Sequence, residues 1–428
     1  NLVWASSRIS RKLRGKSDQM IKRLPHMQDA KKLAAMQILN MLFLNTYLGR
    51  RDLFPFVVMK MMKLTLVDGI SAISSVAFAG YGALLCFSGQ IEEGLRYGTL
   101  ALELVEEWNA QSFQSRVGAF VWGSIFVHAR PFTESLDQLN EGHRLGLQTG
   151  DTEFAMLNAH LHTMFMIDSG KFPMSTMIKQ FNEFRELTAL HGHPNQLDVL
   201  NPFVAAMQTF ANANGSLTDH TGELDSGLIA AKKNKNAWAL EIIYNTKLFF
   251  YVVAGEFKSA IEMIDGRTSH VSPHEGSVHE AFSLYVDGLA FFAEARSSSN
   301  AQDARKLLKR ARHCIRLLKP LSRINPAVSL GKLVLLEAEN AASMKKNVLA
   351  GEKYDHAASL ASRYGSNFEL AFSKQAAGRH FELDLQDRVR AISSFEGACK
   401  AYDAWGGNAA ATLLKLKIVQ LRKVSSFK

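Results

Sequence analysis

The sequence predicts an all-α protein, and three observations predict it. Apolar residues recur with the 3.6-residue period of an amphipathic helix along almost the whole chain. Proline falls mostly at breaks, as at Pro131, Pro194, Pro273 and Pro326, where it cannot continue a helix. Alternating strand-like runs bounded by Gly-Asn turns are missing. A chain of 428 residues with 47% apolar and 21% charged residues has ample surface to bury, as roughly two or three domains or as one repeat array.

Taken in order, helix breaks are expected at GRRD (49–52), FSGQ (87–90), HARP (128–131), TGD (149–151) and SGKFP (169–173), then at HGHPN (191–195), NANGS (212–216) and VAGE (253–256), and finally at SSSN (297–300), RINP (323–326) and RYGSN (363–367). Each combines a residue that tolerates a left-handed turn with one that stops or caps a helix. Asp151 ahead of Glu153, and Ser297 to Ser299 ahead of Ala301, read as N-caps. Helix-sized lengths lie between successive breaks.

Charge is uneven along the chain. The net charge is +10, but residues 1–32 carry nine Lys/Arg against Asp18 and Asp29, and the tail after Asp403 adds Lys415, Lys417, Arg422, Lys423 and Lys428 with no acid. The middle is slightly acidic, so the basic excess does not stripe the body as a nucleic-acid surface would. Residues 1–32 are expected to be a basic extension or linker, and 33–428 the folded domain. Cys86, Cys314 and Cys399 are isolated, which points to a reducing, cytoplasmic setting and away from a disulfide framework or zinc site. No secretory leader is read at the N-terminus, and the first residue is Asn1, which suggests a piece excised from something longer. The uncharged run ISAISSVAFAGYGALLCFSG after Gly69 has the length of a membrane span, but its serines make it weakly apolar and a buried helix is expected.

Several helices share a small-large-small face. Ala304, Leu308 and Ala311 recur as Ala350, Tyr354 and Ala357, then as Ala391, Phe395 and Ala398, with Gly94, Gly98 and Ala101 at matching places earlier. Positions i, i+4 and i+7 lie on one face, so small residues let a neighbouring helix approach around a bulky one. The turns repeat too: Gly89-Gln90-Ile91, Gly170-Lys171-Phe172 and Gly255-Glu256-Phe257 stand 81 and 85 residues apart, two units of roughly 40 to 43 in each interval. These residues resemble the tetratricopeptide repeat, with Gly82, Gly89, Gly94 and Ala101 matching one copy, and Gly123, Phe126 and Phe132 another. The period exceeds that family's 34. The resemblance implies a divergent α-solenoid: a right-handed superhelix of stacked antiparallel hairpins, about nine of them, with a capping helix after Trp405.

At greater length the chain resembles the helical-repeat region of very large multidomain signalling proteins, in which a protein-kinase-like domain and a signal-transduction ATPase precede the repeats and a GAF, histidine-kinase or cyclase module follows. The matching stretches are LPHM (24–27), FVVMKMMKLTLVDGIS (56–71), YGALL with GLRYGTLALEL, TGDTEFAMLNAH (149–160) with SGKF, and AYDAWGGNAAATLLKLK (401–417). Gly407 and Ala410 depart from the family's Ala and basic residue. The resemblance implies a non-catalytic scaffold and regulatory module, partnered by a protein or peptide or by flanking ATPase and kinase domains.

The chemical motifs fit that reading. There is no phosphate-binding GxxxxGK[ST], no kinase signature and no GxSxG elbow, and Gly80-Tyr81-Gly82 sits inside a helix. His274-Glu275 and His279-Glu280 are five apart, which turns the second imidazole about 140° from the first. His160 and His162 point to different helical faces, and His191 and His193 flank Gly192 in a turn. KMMK (60–63), Met156, Met164 and Met166 read as core filler, Glu103, Glu106 and Glu107 as a solvated face, and Asn214-Gly215-Ser216 as a turn. No catalytic, cofactor-binding or metal-binding residue is assigned, and the chain is expected not to be an enzyme. Two alternatives stay open: a small-molecule sensor with a pocket at Phe120, Trp122 and Phe126, and a nucleic-acid-associated adaptor.

Overall fold

The computed structural model describes residues 2–212, 222–234, 236–270 and 278–423. Among the described residues the protein is all-α, 85% helical and without strands. The helices are α1 (Leu2–Leu13), α2 (Asp18–Lys22), α3 (Ala30–Gly49), α4 (Phe54–Asp68), α5 (Ser74–Phe87), α6 (Ile91–Glu107), α7 (Gln114–Phe120), α8 (Thr133–Thr149), α9 (Thr152–Ser169), α10 (Met174–Leu190) and α11 (Pro194–Ala211). They continue as α12 (Gly222–Lys233), α13 (Ala237–Ala254), α14 (Phe257–His270), α15 (Val278–Ser297), α16 (Ala301–Ile324), α17 (Pro326–Ser343), α18 (Asn347–Tyr364), α19 (Asn367–Leu383), α20 (Arg388–Trp405) and α21 (Asn408–Lys423). Consecutive helices pack in pairs, as stacked hairpins do. The chain divides into two compact units, one built on residues up to His162 and the other from Thr163 onward.

In the first unit the segment before Lys32, read from its charge as an extension, places Ile9, Leu13, Ile21 and Met27 in the core. Its charges are tied down as well, with Asp18 2.8 Å from Arg96 and Lys22 2.6 Å from Glu103. Helices α5 and α6 meet at glycines: a Cβ on Gly82 would lie 2.9 Å from the Gly94 carbonyl, and one on Gly98 3.1 Å from Ile125. The small face read from sequence is therefore a backbone-to-backbone contact. The uncharged run after Gly69 yields only the 14 residues of α5, and no helix among the described residues is long and apolar enough to cross a membrane.

In the second unit the same device recurs. Ala350, Tyr354 and Ala357, and Ala391, Phe395 and Ala398, are buried, and the Phe395 ring sits where a Cβ on Gly378 would lie 2.5 Å away. Gly255, Gly365 and Gly406 end helices with φ of 84°, 72° and 87°, the left-handed region that favours glycine. Other turns escaped the sequence reading because Asn109, Lys345 and Gln386 take that region without being glycine, with φ of 46°, 57° and 52°. The expected serine cap of α16 is corrected: Ser297 ends α15, and the Asn300 side chain accepts from the Gln302 and Asp303 amides.

Packing in this unit is not confined to consecutive helices. Helix α21 packs on α11 and α13, Asn408 Nδ2 donates to the Ala211 carbonyl at 2.9 Å, and Gln375 Nε2 donates to the Val253 carbonyl at 3.2 Å. The Asn367 amide donates to the Gly170 carbonyl at 3.0 Å. Aromatic rings hold this closure. Phe210 of α11 lies 5.5 Å from both Phe249 of α13 and Trp405 of α20, and Phe368 of α19 lies 5.3 Å from Phe249 and 5.2 Å from Trp405. Gly407, where the sequence departs from the family it resembles, is the position at which a Cβ would stand 2.6 Å from the Phe210 ring.

Truncating Phe395 to Ala should cost about 3–5 kcal/mol of stability. Val389→Ala on the exposed face of the same helix should stay within about 0.5 kcal/mol. Denaturant midpoints of the two variants measure the difference, and equal midpoints would remove the small-large-small face as a packing device.

Candidate functional site

Where the two ends of the second unit meet, the packing is incomplete. A cavity of about 60 Å³ remains among Met164, Ile167 and Asp168 of α9, Phe203 and Met207 of α11, Ile242, Asn245, Thr246 and Phe249 of α13, Phe282 of α15, Phe368 of α19 and Trp405 of α20. It has room for roughly four or five water-sized groups. Each wall residue follows from a helical stripe: Phe203 and Met207 are one turn apart, as are Ile242 and Thr246.

The wall is mostly apolar, and its polar groups differ in what they offer. Thr246 Oγ1 is committed to the Ile242 carbonyl at 2.8 Å, and Asn245 Oδ1 accepts from Arg267 at 2.5 Å. Asp168 contributes a buried carboxyl. Trp405 is 1% exposed, and its indole Nε1 has no hydrogen-bond partner among the described residues. A buried donor left unmade costs about 1–3 kcal/mol, and Trp405 is one of the residues around the cavity. A mostly apolar wall suits a small, mostly apolar organic molecule.

At Phe120, Trp122 and Phe126, the place of the alternative pocket, Phe120 and Phe126 are packed in the core and Trp122 is half-buried. Phe120 lies 4.8 Å from both Phe43 and Tyr47, Trp122 meets Phe126 edge-on at 4.8 Å, and the Arg130 guanidinium covers Phe126 at 4.2 Å. None of the three lines the cavity of the second unit. Met61, Met62, Met156 and Met166 are buried filler as expected, whereas Met164 is a wall of the cavity. Glu103 and Glu107 form a solvated face bridged to Lys22. The three cysteines are buried, and burial pushes the Cys86 and Cys314 thiols up to about 12, which keeps them from acting as thiolate nucleophiles or ligands at neutral pH.

His191 and His193 sit in the turn between α10 and α11, around Gly192 with φ of 71°. His274 and Glu275 lie outside the described residues, as do Asn214, Gly215 and Ser216 and the side chain of His279, while Glu280 belongs to α15. Among the described residues no group of three or more His, Cys, Asp or Glu could hold a metal ion. His160 and His162 are both buried despite their different helical faces.

Trp405 escaped the sequence reading because it looked like the boundary before a capping helix. Its neighbours on the cavity wall lie far from it in sequence, so no local pattern could join them. No protein-family model matches the sequence, and no curated protein matches it significantly.

Burial lowers the His162 pKa from the usual 6.5 to about 4. The unfolded chain therefore binds the extra proton between these values and the folded chain does not. The stability contribution is whole above pH 6.5, falls by about 1.4 kcal/mol per pH unit on acidification, and is gone below about pH 4. Unfolding midpoints across pH 4 to 6.5 should show this slope, reduced in His162→Gln.

Proposed function

We propose that the chain is a non-catalytic helical-repeat module that binds a small, mostly apolar molecule in the Trp405 cavity and acts as the sensing and regulatory segment of a signalling protein. The observation that carries this reading is a mostly apolar cavity among helices α9, α11, α13, α15, α19 and α20, in a unit closed across that cavity. A ligand bridging α9, α11, α13, α19 and α20 stabilises the closed unit by mass action, because it binds only when those helices are together. Occupancy thereby becomes a difference in helix packing that an adjoining domain reads. The right-handed superhelix, the cytoplasmic setting and the neighbouring ATPase and kinase domains belong to the same proposal and rest on the resemblance of the repeat segments.

A second observation favours a scaffold role alongside sensing. Helix α3 exposes Ile38, Met41 and Leu42 at 59%, 71% and 45% on one side while it buries Met36, Asn40, Phe43 and Leu44 on the other. Exposed apolar residues at i, i+3 and i+4 form the stripe that an apolar partner helix covers. The nucleic-acid reading draws less support. Lys22 and Lys32, and Lys415, Lys417 and Arg422 in the tail, lie within ion-pair distance of carboxylates, which leaves less free charge for phosphates.

Thermal-shift screening against small ketones, alcohols and aromatic alcohols should find compounds that raise the melting temperature of the intact chain. Met207→Trp puts a larger side chain into the cavity, and it should weaken a confirmed ligand at least tenfold. Equal affinity in the variant would place the ligand elsewhere. For the α3 face, Met41→Glu should leave the melting temperature unchanged and abolish binding to a partner helix; a partner that tolerates it does not use this stripe.

A further inference from the structure

A second concavity in the same unit has a different chemistry. It is a cleft of about 690 Å³ between the first turn of α14, the end of α15 and the end of α19, lined by Gly255 to Ser259, Ala293, Glu294, Arg296, Ser297, Arg379, Leu383 and Asp384.

Its charges are not equally engaged. Arg296 is held by Glu339 at 2.8 Å and by Asp384 at 3.4 Å. Asp384 is also 2.7 Å from His380 Nδ1, and Glu339 accepts the Tyr354 hydroxyl at 2.9 Å. Glu294 accepts the Ser297 hydroxyl at 3.3 Å, while Glu256 and Lys258 are exposed. Arg379 differs. No carboxylate of the described residues lies within ion-pair distance of it, its Nε is buried without a hydrogen-bond partner, and its guanidinium plane rests on the Phe257 ring at 5.3 Å. Burial and the nearby positive charge of Arg296 lower its pKa, and Glu339 opposes them. An arginine stacked on an aromatic face presents its N–H edge outward as a fork for an oxyanion.

The backbone adds donors at the same place. The Ala260 amide is the first in α14 to find a helical acceptor, the Glu256 carbonyl at 3.0 Å, so the amides of Phe257, Lys258 and Ser259 remain open at the positive end of the helix. The first-turn amides of α14, the Arg379 guanidinium and Lys258 line one cleft together with Glu256, Glu294 and Asp384, and the amides and cations are the groups that suit a tetrahedral oxyanion.

We infer that this cleft is a phosphate-binding site, taking inorganic phosphate or the phosphate of a small phosphomonoester on Arg379 and the first-turn amides of α14. The site is separate in chemistry from the Trp405 cavity, and neither reading requires the other. A cleft of this size takes a sugar phosphate or a mononucleotide.

The test is isothermal titration of the intact chain with inorganic phosphate at constant ionic strength, with chloride as the matched control. Glucose 6-phosphate and AMP, set against glucose and adenosine, form a second arm. Saturable binding of phosphate that falls at least tenfold in Arg379→Gln and tightens in Glu294→Gln, which removes an opposing charge, is the expected result. Tighter binding of either phosphomonoester than of phosphate identifies an organic ligand, and equal binding identifies free phosphate. No saturation beyond the chloride control, or equal affinity in wild type and Arg379→Gln, overturns the assignment. If Arg379→Gln gives no cooperative melt, Glu294→Gln decides: tightening supports the site and unchanged affinity overturns it.

Discussion

The second unit depends on one apolar contact. The rings of Phe210, Phe249, Phe368, Phe372, Tyr402 and Trp405 come from α11, α13, α19 and α20 and pack on one another, with Phe249 and Phe372 stacked at 5.7 Å. Helical hairpins bury one face against the next pair and leave the ends of an array uncovered. Here the late helices return to the early ones, and each aromatic pair adds roughly 0.5–1.5 kcal/mol beyond its buried area. Gln375 fixes the register of this closure, donating to the Val253 carbonyl of α13 and accepting the Tyr402 hydroxyl at 2.7 Å. Rings of fixed shape from four helices do not fill the junction completely, and the space they leave is the Trp405 cavity.

Around that apolar centre runs a set of buried charges that specify the arrangement. Lys332 is 2% exposed and held by the Val328 carbonyl at 2.7 Å and by Glu369 at 2.5 Å. Gly331 gives that carboxylate its place, since a Cβ there would stand 2.7 Å from Glu369 Oε2. Arg296, Glu339, Tyr354, Asp384 and His380 form a second set linking α15, α17, α18 and α19. A buried ion pair adds little net stability after desolvation, but breaking one is costly. Pairs of this kind therefore act on register. Arg379, at the margin of this second set, has no carboxylate within ion-pair distance among the described residues, and the proposed phosphate site is built on it.

The two concavities differ in chemistry, and the two proposals assign them different small molecules. The Trp405 cavity is small, apolar and walled by the elements that close the unit, so its occupancy bears on packing. The Arg379 cleft is larger, polar and built at helix ends, so its occupancy bears on charge. Thr246 is turned back to its own helix and the three cysteines are buried with raised pKa values.

The sequence by itself determined the helices, most of their breaks and the close-packed faces, because these are local: a 3.6-residue stripe, a glycine in a left-handed turn, and small residues four and seven apart around a large one. It missed turns closed by Asn109, Lys345 and Gln386, whose side chains carry no such signal. Only the tertiary structure decided that the basic segment before Lys32 joins a core, that Phe120, Trp122 and Phe126 are packing rather than pocket, and that α21 closes on α11. It alone brought Trp405 to Met164, and Arg379 to the first turn of α14. The physical reason is distance along the chain. Both concavities are made by side chains that meet only after the helices have packed, and a local pattern records what a residue can bury, not which remote residue it will bury it against.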